Sequence, residues 1–223
     1  MVRSMFDRIA PRYDFVNRLM TFGLDMGWRR RAIRLLGLAP GSIVADLACG
    51  TGDFSRLLAT AGYRVAGFDL SLGMMAAGNS PAPAVQADAV ALPLPDGALD
   101  GLVSGFGLRN FADLARTFAE CARVVRPGGR IALLEVDEPR GRLMRLGHRV
   151  WLGHVVPRIG AALSDADAYR YLPRSLAYLP PRDDLLMMLA GAGFPGATHH
   201  RLAGGVTQVL TATRAVSGTR RSQ

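Results

Sequence analysis

Between Val44 and Gly52 the chain reads Val-Ala-Asp-Leu-Ala-Cys-Gly-Thr-Gly. A short apolar run ends near an acid, a Gly-x-Gly turn follows, and a helical pattern opens at about Asp53. Glycine tolerates the positive φ of such a turn and lets backbone approach a ligand closely. The helix beyond it offers unpaired N–H groups. A dinucleotide fingerprint would need a third glycine where Ser55 stands, so a seated pyrophosphate is not expected. Asp46 would also repel a pyrophosphate. It suits a ligand with a positive end, such as the ammonium and sulfonium of S-adenosylmethionine. The same residues also fit a plain strand-to-helix turn.

The rest of the chain extends this alternation. Apolar residues recur at helical spacing over 3–20, through Met5, Ile9, Tyr13, Val16 and Met20, and over 25–37, through Trp28, Ala32, Leu35 and Leu36. Pro40-Gly41 marks a turn, and 43–47 reads as a buried strand. Further strands are expected at 64–69, weakly at 84–86, at 99–106 and at 130–136. Helices are expected from about Asp53, after Ser71 and over 112–125, with a turn at Pro127-Gly128-Gly129. After Pro139 the pattern is helical over 141–163, where Pro157 must kink or end the helix. A helix over 182–192 closes at Gly193, and 197–213 reads as an antiparallel hairpin about Gly204-Gly205. This predicts an α/β fold: a mostly parallel, Rossmann-like sheet of seven strands with right-handed crossovers. One domain over 1–216 is expected, with a helical cap at 1–38, a helical lid or insertion at 140–181 and a disordered tail at 217–223.

The 223 residues, 49% hydrophobic and 20% charged, suffice for a sizeable core and exclude disorder as the dominant state. No apolar run reaches the roughly 18 residues that span a bilayer, and the N-terminus lacks a signal-peptide layout. Cys49 and Cys121 are too few for a disulfide framework or a zinc site, so a cytoplasmic setting is expected. The net charge of +9 comes from 27 basic residues, all arginine. Codon bias accounts for such a set, as does attraction to an anionic partner. The arginines are spread out, densest at 29–31 and 140–149, and form no basic stripe with interleaved aromatics. Nucleic acid is therefore not an expected partner. His148, His154, His199 and His200 lack ligand spacing and read as surface or core residues, and no metal is expected. His199 and His200, adjacent in a strand, would face opposite ways.

Chemistry concentrates at the strand tips. The second strand ends at Asp69, about 20 residues past the glycine loop, where ribose hydroxyls are gripped in open α/β sheets. Leu70 and Met74 follow, placing soft apolar side chains by an adenine face. At the next tip Asp88 can accept from an adenine amino group while the Ala89 N–H donates to a ring nitrogen. Each acid alone fits a helix cap or a solvated loop. Acids at three successive tips point to a nucleoside-bearing ligand. The candidate binding residues are Asp46, Ala48, Gly50, Thr51, Gly52, Asp69, Leu70, Met74, Asp88 and Ala89.

With these residues in view, the sequence resembles the class I S-adenosylmethionine-dependent methyltransferases, and within them the UbiE group that methylates quinone precursors. The resemblance runs from about Met5 to Gly205. It rests on the Met5–Asn17 segment, the Asp46–Gly52 loop, Phe106-Gly-Leu-Arg-Asn110, Arg126-Pro-Gly-Gly129, Asp167–Leu172 and Leu202–Val206. It implies a class I methyltransferase sandwich, S-adenosylmethionine as donor with S-adenosylhomocysteine as product, and cofactor contacts at Thr51, Asp69, Asp88 and Ala89. It also implies that Arg109 and Asn110 order a water that deprotonates the acceptor, that Tyr13 is a catalytic residue beside them, and that Phe106, Tyr169 and Arg170 lie near the substrate. Arginine is no base at neutral pH but stabilises a phenolate and positions a water. A structural ion pair is the other reading of Arg109. Three places depart from the family's usual pattern. Gly105 stands where a serine is usual, Val136-Asp137 replaces Phe-Ser, and Val206–Thr213 replaces an Ala-Leu-His run.

The implied reaction puts a methyl on a ring carbon ortho to a hydroxyl of a demethylmenaquinol- or benzoquinol-type acceptor. A sulfonium methyl is already electrophilic, so the protein must align the reactants and stabilise a phenolate. Two other readings fit. One is the same transfer, to carbon or oxygen, on a specialised polyketide or phenolic metabolite. The other is a methyltransferase fold that binds the cofactor without transferring methyl. The segment 140–163 reads as a lid or packed helix, or as a basic amphipathic face touching an anionic membrane on its inner side. A homodimer is also compatible with the sequence.

Overall fold

A computed structural model describes residues 2–156, 158, 159, 171, 175 and 177–216. Two helices, α1 (Val2–Met20) and α2 (Asp25–Leu36), precede the sheet. Gly37, at φ 60°, ends α2 by returning its N–H to the Ile33 carbonyl. Then β1 (Ile43–Leu47), α3 (Asp53–Thr60), β2 (Arg64–Asp69), α4 (Leu72–Ala77), β3 (Ala84–Gln86), β4 (Leu99–Gly105), α5 (Leu114–Val124) and β5 (Val125–Val136) follow in the expected alternation. The chain continues through α6 (Arg142–Val150), α7 (Arg182–Gly191), β6 (Thr198–Leu202) and β7 (Thr207–Thr213). Ser71 and Asp113 cap α4 and α5 by accepting the Met74 and Arg116 N–H groups.

The seven strands form one sheet in the order β3-β2-β1-β4-β5-β7-β6. The strands from β3 to β5 run parallel, and β7 joins β5 and β6 antiparallel. The chain changes direction across the sheet at β1, which lies between β2 and β4, and this opens a crevice at the strands' C-terminal ends. Side chains alternate between two cores. Ala45, Leu47, Leu102, Ile131 and Leu133 pack toward α5 and α7, while Val44, Val103, Ala132 and Leu134 pack toward α2 and α3.

The start of β5 differs from expectation. β5 begins at Val125, because Val125 pairs with Leu99 before the register slips to Arg130 opposite Gly101. The expected Pro-Gly-Gly turn is a bulge within that strand, and Arg126 Nε anchors it to Asp100 Oδ1 at 2.6 Å. The helix expected after Pro139 is present from Arg142 onward: α6 passes through a wider π-type turn over Trp151–Val155, and Val156, Arg158 and Ile159 are again helical. Pro157 lies outside the described residues.

Candidate active site

The glycine loop leaves β1 through three left-handed residues: Ala48 at φ 56°, Gly50 at 56° and Gly52 at 83°. Its neighbour is close: a Cβ on Gly78 would collide with the Thr51 carbonyl. Asp69 at the tip of β2 holds the loop, accepting the Gly50 N–H on Oδ2 and the Ser71 N–H on Oδ1, each at 2.8 Å. Burial pushes its carboxyl up despite these donors. Each oxygen keeps a lone pair for a ligand hydroxyl.

A cavity of about 550 Å³ opens over this loop. Among the sequence candidates, Ala48, Gly50, Thr51, Asp69, Leu70, Met74, Asp88 and Ala89 line it, as do Phe106 and Asn110. Gly52 and Asp46 do not line it. Asp46 is 1% exposed and sits behind the loop, where Ser55 Oγ donates to its Oδ2 at 2.6 Å. Burial pushes its pKa up to about 7. Its Oδ1 is buried without a hydrogen-bond partner among the described residues. From behind the loop its charge would favour a cationic ligand in the cavity, which fits the ammonium end of S-adenosylmethionine. Cys49 packs its sulfur against Gly67.

α1 roofs the cavity through side chains the sequence reading left without a role. Asp7 accepts from Ser71 Oγ and, at 3.0 Å, from the Gly73 N–H. Asp14 accepts from Thr51 Oγ1 at 2.6 Å. Arg18 forks onto both oxygens of Asp53 and also reaches buried Asp25, which in turn holds Arg29. Positions 7, 14 and 18 share one helical face, and that recurrence was the signal available in the sequence.

A second cavity of about 540 Å³ lies on the other side of Tyr13 and Phe106, which line both. Its wall is mostly apolar, with Met20, Trp28, Val136, Met144 and Trp151 among its residues. Phe106 holds φ 62°, with the Arg29 guanidinium 5.2 Å from its ring centroid. Arg109 faces this cavity while ion-paired with fully buried Glu135, which also accepts the Val136 N–H at 2.9 Å. The ion-pair reading of Arg109 thus holds together with its cavity position. Tyr171 donates to Asn110 Oδ1 at 3.2 Å. Desolvation pushes the Tyr13 phenol up, against the pull of Arg109 and Arg29. Tyr169 and Arg170 lie outside the described residues.

The histidines separate. His199 meets Asp137 at 3.3 Å and His200 meets Thr211 at 2.9 Å, on opposite sides of β6. His148, expected at the surface or in the core, is half-buried and lines the apolar cavity. Gly105 lines the loop cavity, and a Cβ there would stand 3.1 Å from the Phe54 ring, so the family's serine would press on Phe54.

The sheet order, the acids at its tips and the glycine loop define a class I methyltransferase that depends on S-adenosylmethionine. The chain belongs to the ubiE/COQ5 methyltransferase family, whose model matches residues 1–214. It is 40% identical over 225 residues to the ubiquinone/menaquinone biosynthesis C-methyltransferase UbiE of Syntrophotalea carbinolica, covering 97% of this chain and 95% of that protein. It is 44% identical over 201 residues to the demethylmenaquinone methyltransferase of Thermus thermophilus, covering 85% and 91%. Among solved structures, phosphoethanolamine N-methyltransferase 2 of Haemonchus contortus in complex with S-adenosyl-L-methionine aligns with a TM-score of 0.71 at 13% identity, over 97% of this chain and 60% of that one. A methyltransferase of Thermotoga maritima aligns at 0.65 with 17% identity, over 95% and 99%. At these identities the structural likeness speaks to the fold alone.

Proposed function

We propose that this chain methylates a ring carbon, ortho to a hydroxyl, of a demethylmenaquinol- or benzoquinol-type acceptor. The observation that carries this reading is the pair of cavities meeting at Tyr13 and Phe106, one polar with acids at its wall, the other apolar with one arginine. S-adenosylmethionine supplies an electrophilic methyl when bound. Asp69 and Asp88 would accept from its ribose and adenine, the Ala89 N–H would donate to the ring, and Asp46 would balance its positive end. Met74 and Leu70 would flank the base. Tyr13 and Phe106 would hold donor and acceptor in line at the junction. Arg109, fixed by Glu135, would stabilise negative charge on the ring oxygen, and Asn110 would orient a water. Tyr169 and Arg170 belong to this proposal through the family motif alone. The names of the quinone-methylating relatives also support it.

A second reading keeps the chemistry and changes the acceptor to another phenol. Val136 favours it, because it lines the acceptor cavity where the family usually has phenylalanine. We further propose peripheral membrane contact at the rim of the apolar cavity, where Phe22 is 70% and Leu143 85% exposed beside Arg142, Arg145 and Arg149. No described helix is long and apolar enough to cross a membrane.

The test is anaerobic turnover of labelled S-adenosylmethionine with a prenylated 1,4-naphthoquinol lacking the ring methyl, alongside a phenol panel. Label on the naphthoquinol carbon supports the first reading, and label on a phenol alone supports the second. Cofactor binding with no transfer to any acceptor would favour a fold that binds without methylating.

A further inference from the structure

Carbon methylation of a phenol or quinol needs a group that takes the hydroxyl proton. The described residues lining the acceptor cavity include three titratable side chains: Tyr13, Arg109 and His148. Burial holds the Tyr13 phenol above its ordinary range, so it keeps its proton. Arg109 is a permanent cation paired with Glu135. Burial lowers the His148 ring from its ordinary range, which favours the neutral form with a free lone pair. Charged groups face His148 from several elements. Glu138 and Asp137, after β5, pull its pKa back up, but desolvation outweighs them. Arg145 and Arg149 flank it on α6 and are turned to Glu138. Arg109 and Tyr13 line the same cavity. The His148 ring has no hydrogen-bond partner among the described residues.

We infer that His148 is the catalytic base of this enzyme and takes the acceptor's hydroxyl proton directly. The inference rests on the functional reading above. The O–H bond breaks, an N–H bond forms on the imidazole, and the electron pair stays on the oxygen beside Arg109. The ring passes that charge to the ortho carbon, which takes the methyl while the donor's sulfur keeps the electrons of the broken C–S bond. The methylated carbon then loses its hydrogen to water as a proton, and His148 returns its proton to the oxygen. One proton is released overall. Arg109 acts as the electrostatic partner of the base.

The test uses the full chain with S-adenosylmethionine and the prenylated naphthoquinol. His148→Gln should lower kcat about a hundredfold or more. KM should move by less than a few-fold, and the fall of kcat toward acid pH should vanish. In His148→Ala, added imidazole should restore part of the rate. Wild-type kcat in His148→Gln overturns the inference. So does a lowered kcat that keeps its acid limb and gains nothing from imidazole. A titration of histidine-labelled protein by NMR reads the same residue without turnover. The His148 ring should titrate below the range of an exposed histidine and shift when the naphthoquinol joins the S-adenosylhomocysteine complex. A ring that titrates like an exposed histidine or higher, or ignores the naphthoquinol, overturns the inference. If the wild type fails to methylate the naphthoquinol, the functional reading falls, and the NMR result alone decides His148.

Discussion

Arg18 of α1 and Asp53 of α3 lie 35 residues apart in sequence and meet in a two-pronged pair at 2.8 and 3.0 Å. Asp53 opens the helix that follows the cofactor loop. The pair therefore fastens the N-terminal cap to the segment that shapes the donor site. Burial alone would raise the Asp53 carboxyl, but Arg18, with Arg29 and Arg56, holds it below its ordinary value. Arg18→Ala should cost about 2 kcal/mol of stability, the worth of charge-assisted hydrogen bonds lost from a half-buried cluster. Hydrogen exchange should quicken over residues 2–20, and S-adenosylhomocysteine should bind more weakly in calorimetry. Unchanged exchange in α1 would show that the pair does not anchor the cap.

Asp46 should make the protein respond to pH in an unusual direction. Its pKa is about 7 in the folded protein against 3.8 for the free side chain, so the folded state holds a proton that the unfolded state has lost. Stability should fall as pH rises between those two values. Asp46→Asn should remove that slope and melt higher than the wild type at pH 8. Cofactor affinity in the wild type should rise with pH through about 7, as the carboxylate becomes available to a cationic ligand. Calorimetry in buffers of different ionisation enthalpy would register the proton released.

Glu135 is buried beneath Arg109, and Glu135→Gln would leave a cation without its counter-charge. Breaking a buried pair from one side costs about 3–5 kcal/mol. Denaturant midpoints should drop accordingly, and turnover should fall at least tenfold as the guanidinium loses its fixed position. S-adenosylhomocysteine affinity should change less than threefold, because Glu135 lies away from the donor cavity. A collapse of cofactor binding would refute this division of labour.

Gly78 faces the backbone of Thr51 with no room for a methyl group. Gly78→Ala must push the loop after α4 off the glycine loop, at a cost of about 1–3 kcal/mol. Thermal melting should drop, and cofactor affinity should weaken more than in Ser80→Ala, which removes only a hydroxyl from the same loop.

The sheet was legible because strand tips, apolar runs and glycine turns are local signals, and β1, β2 and β3 fall on the expected residues. The acids at the tips of β2 and beyond β3 were readable for the same reason. Asp46 was harder. Its position was clear, but its burial behind the loop follows from Ser55 on α3, a contact no periodicity announces. Arg109 left two readings open because its partner, Glu135, is 26 residues away on β5 while Arg109 sits in the turn after β4. The extent of β5 was missed because a proline and two glycines mark a turn whether it ends a strand or bulges from one. His148 looked ordinary, since no local pattern tells a helix face turned toward a cavity from one turned toward solvent.

α1 borders both cavities, with Phe6 and Tyr13 on the donor side and Tyr13, Asn17 and Met20 on the acceptor side. A single helix thus forms part of the wall of both cavities, and its hold on the sheet runs through Asp7, Asp14 and Arg18. Any substitution that shifts α1 changes the shape of the donor and acceptor sides together.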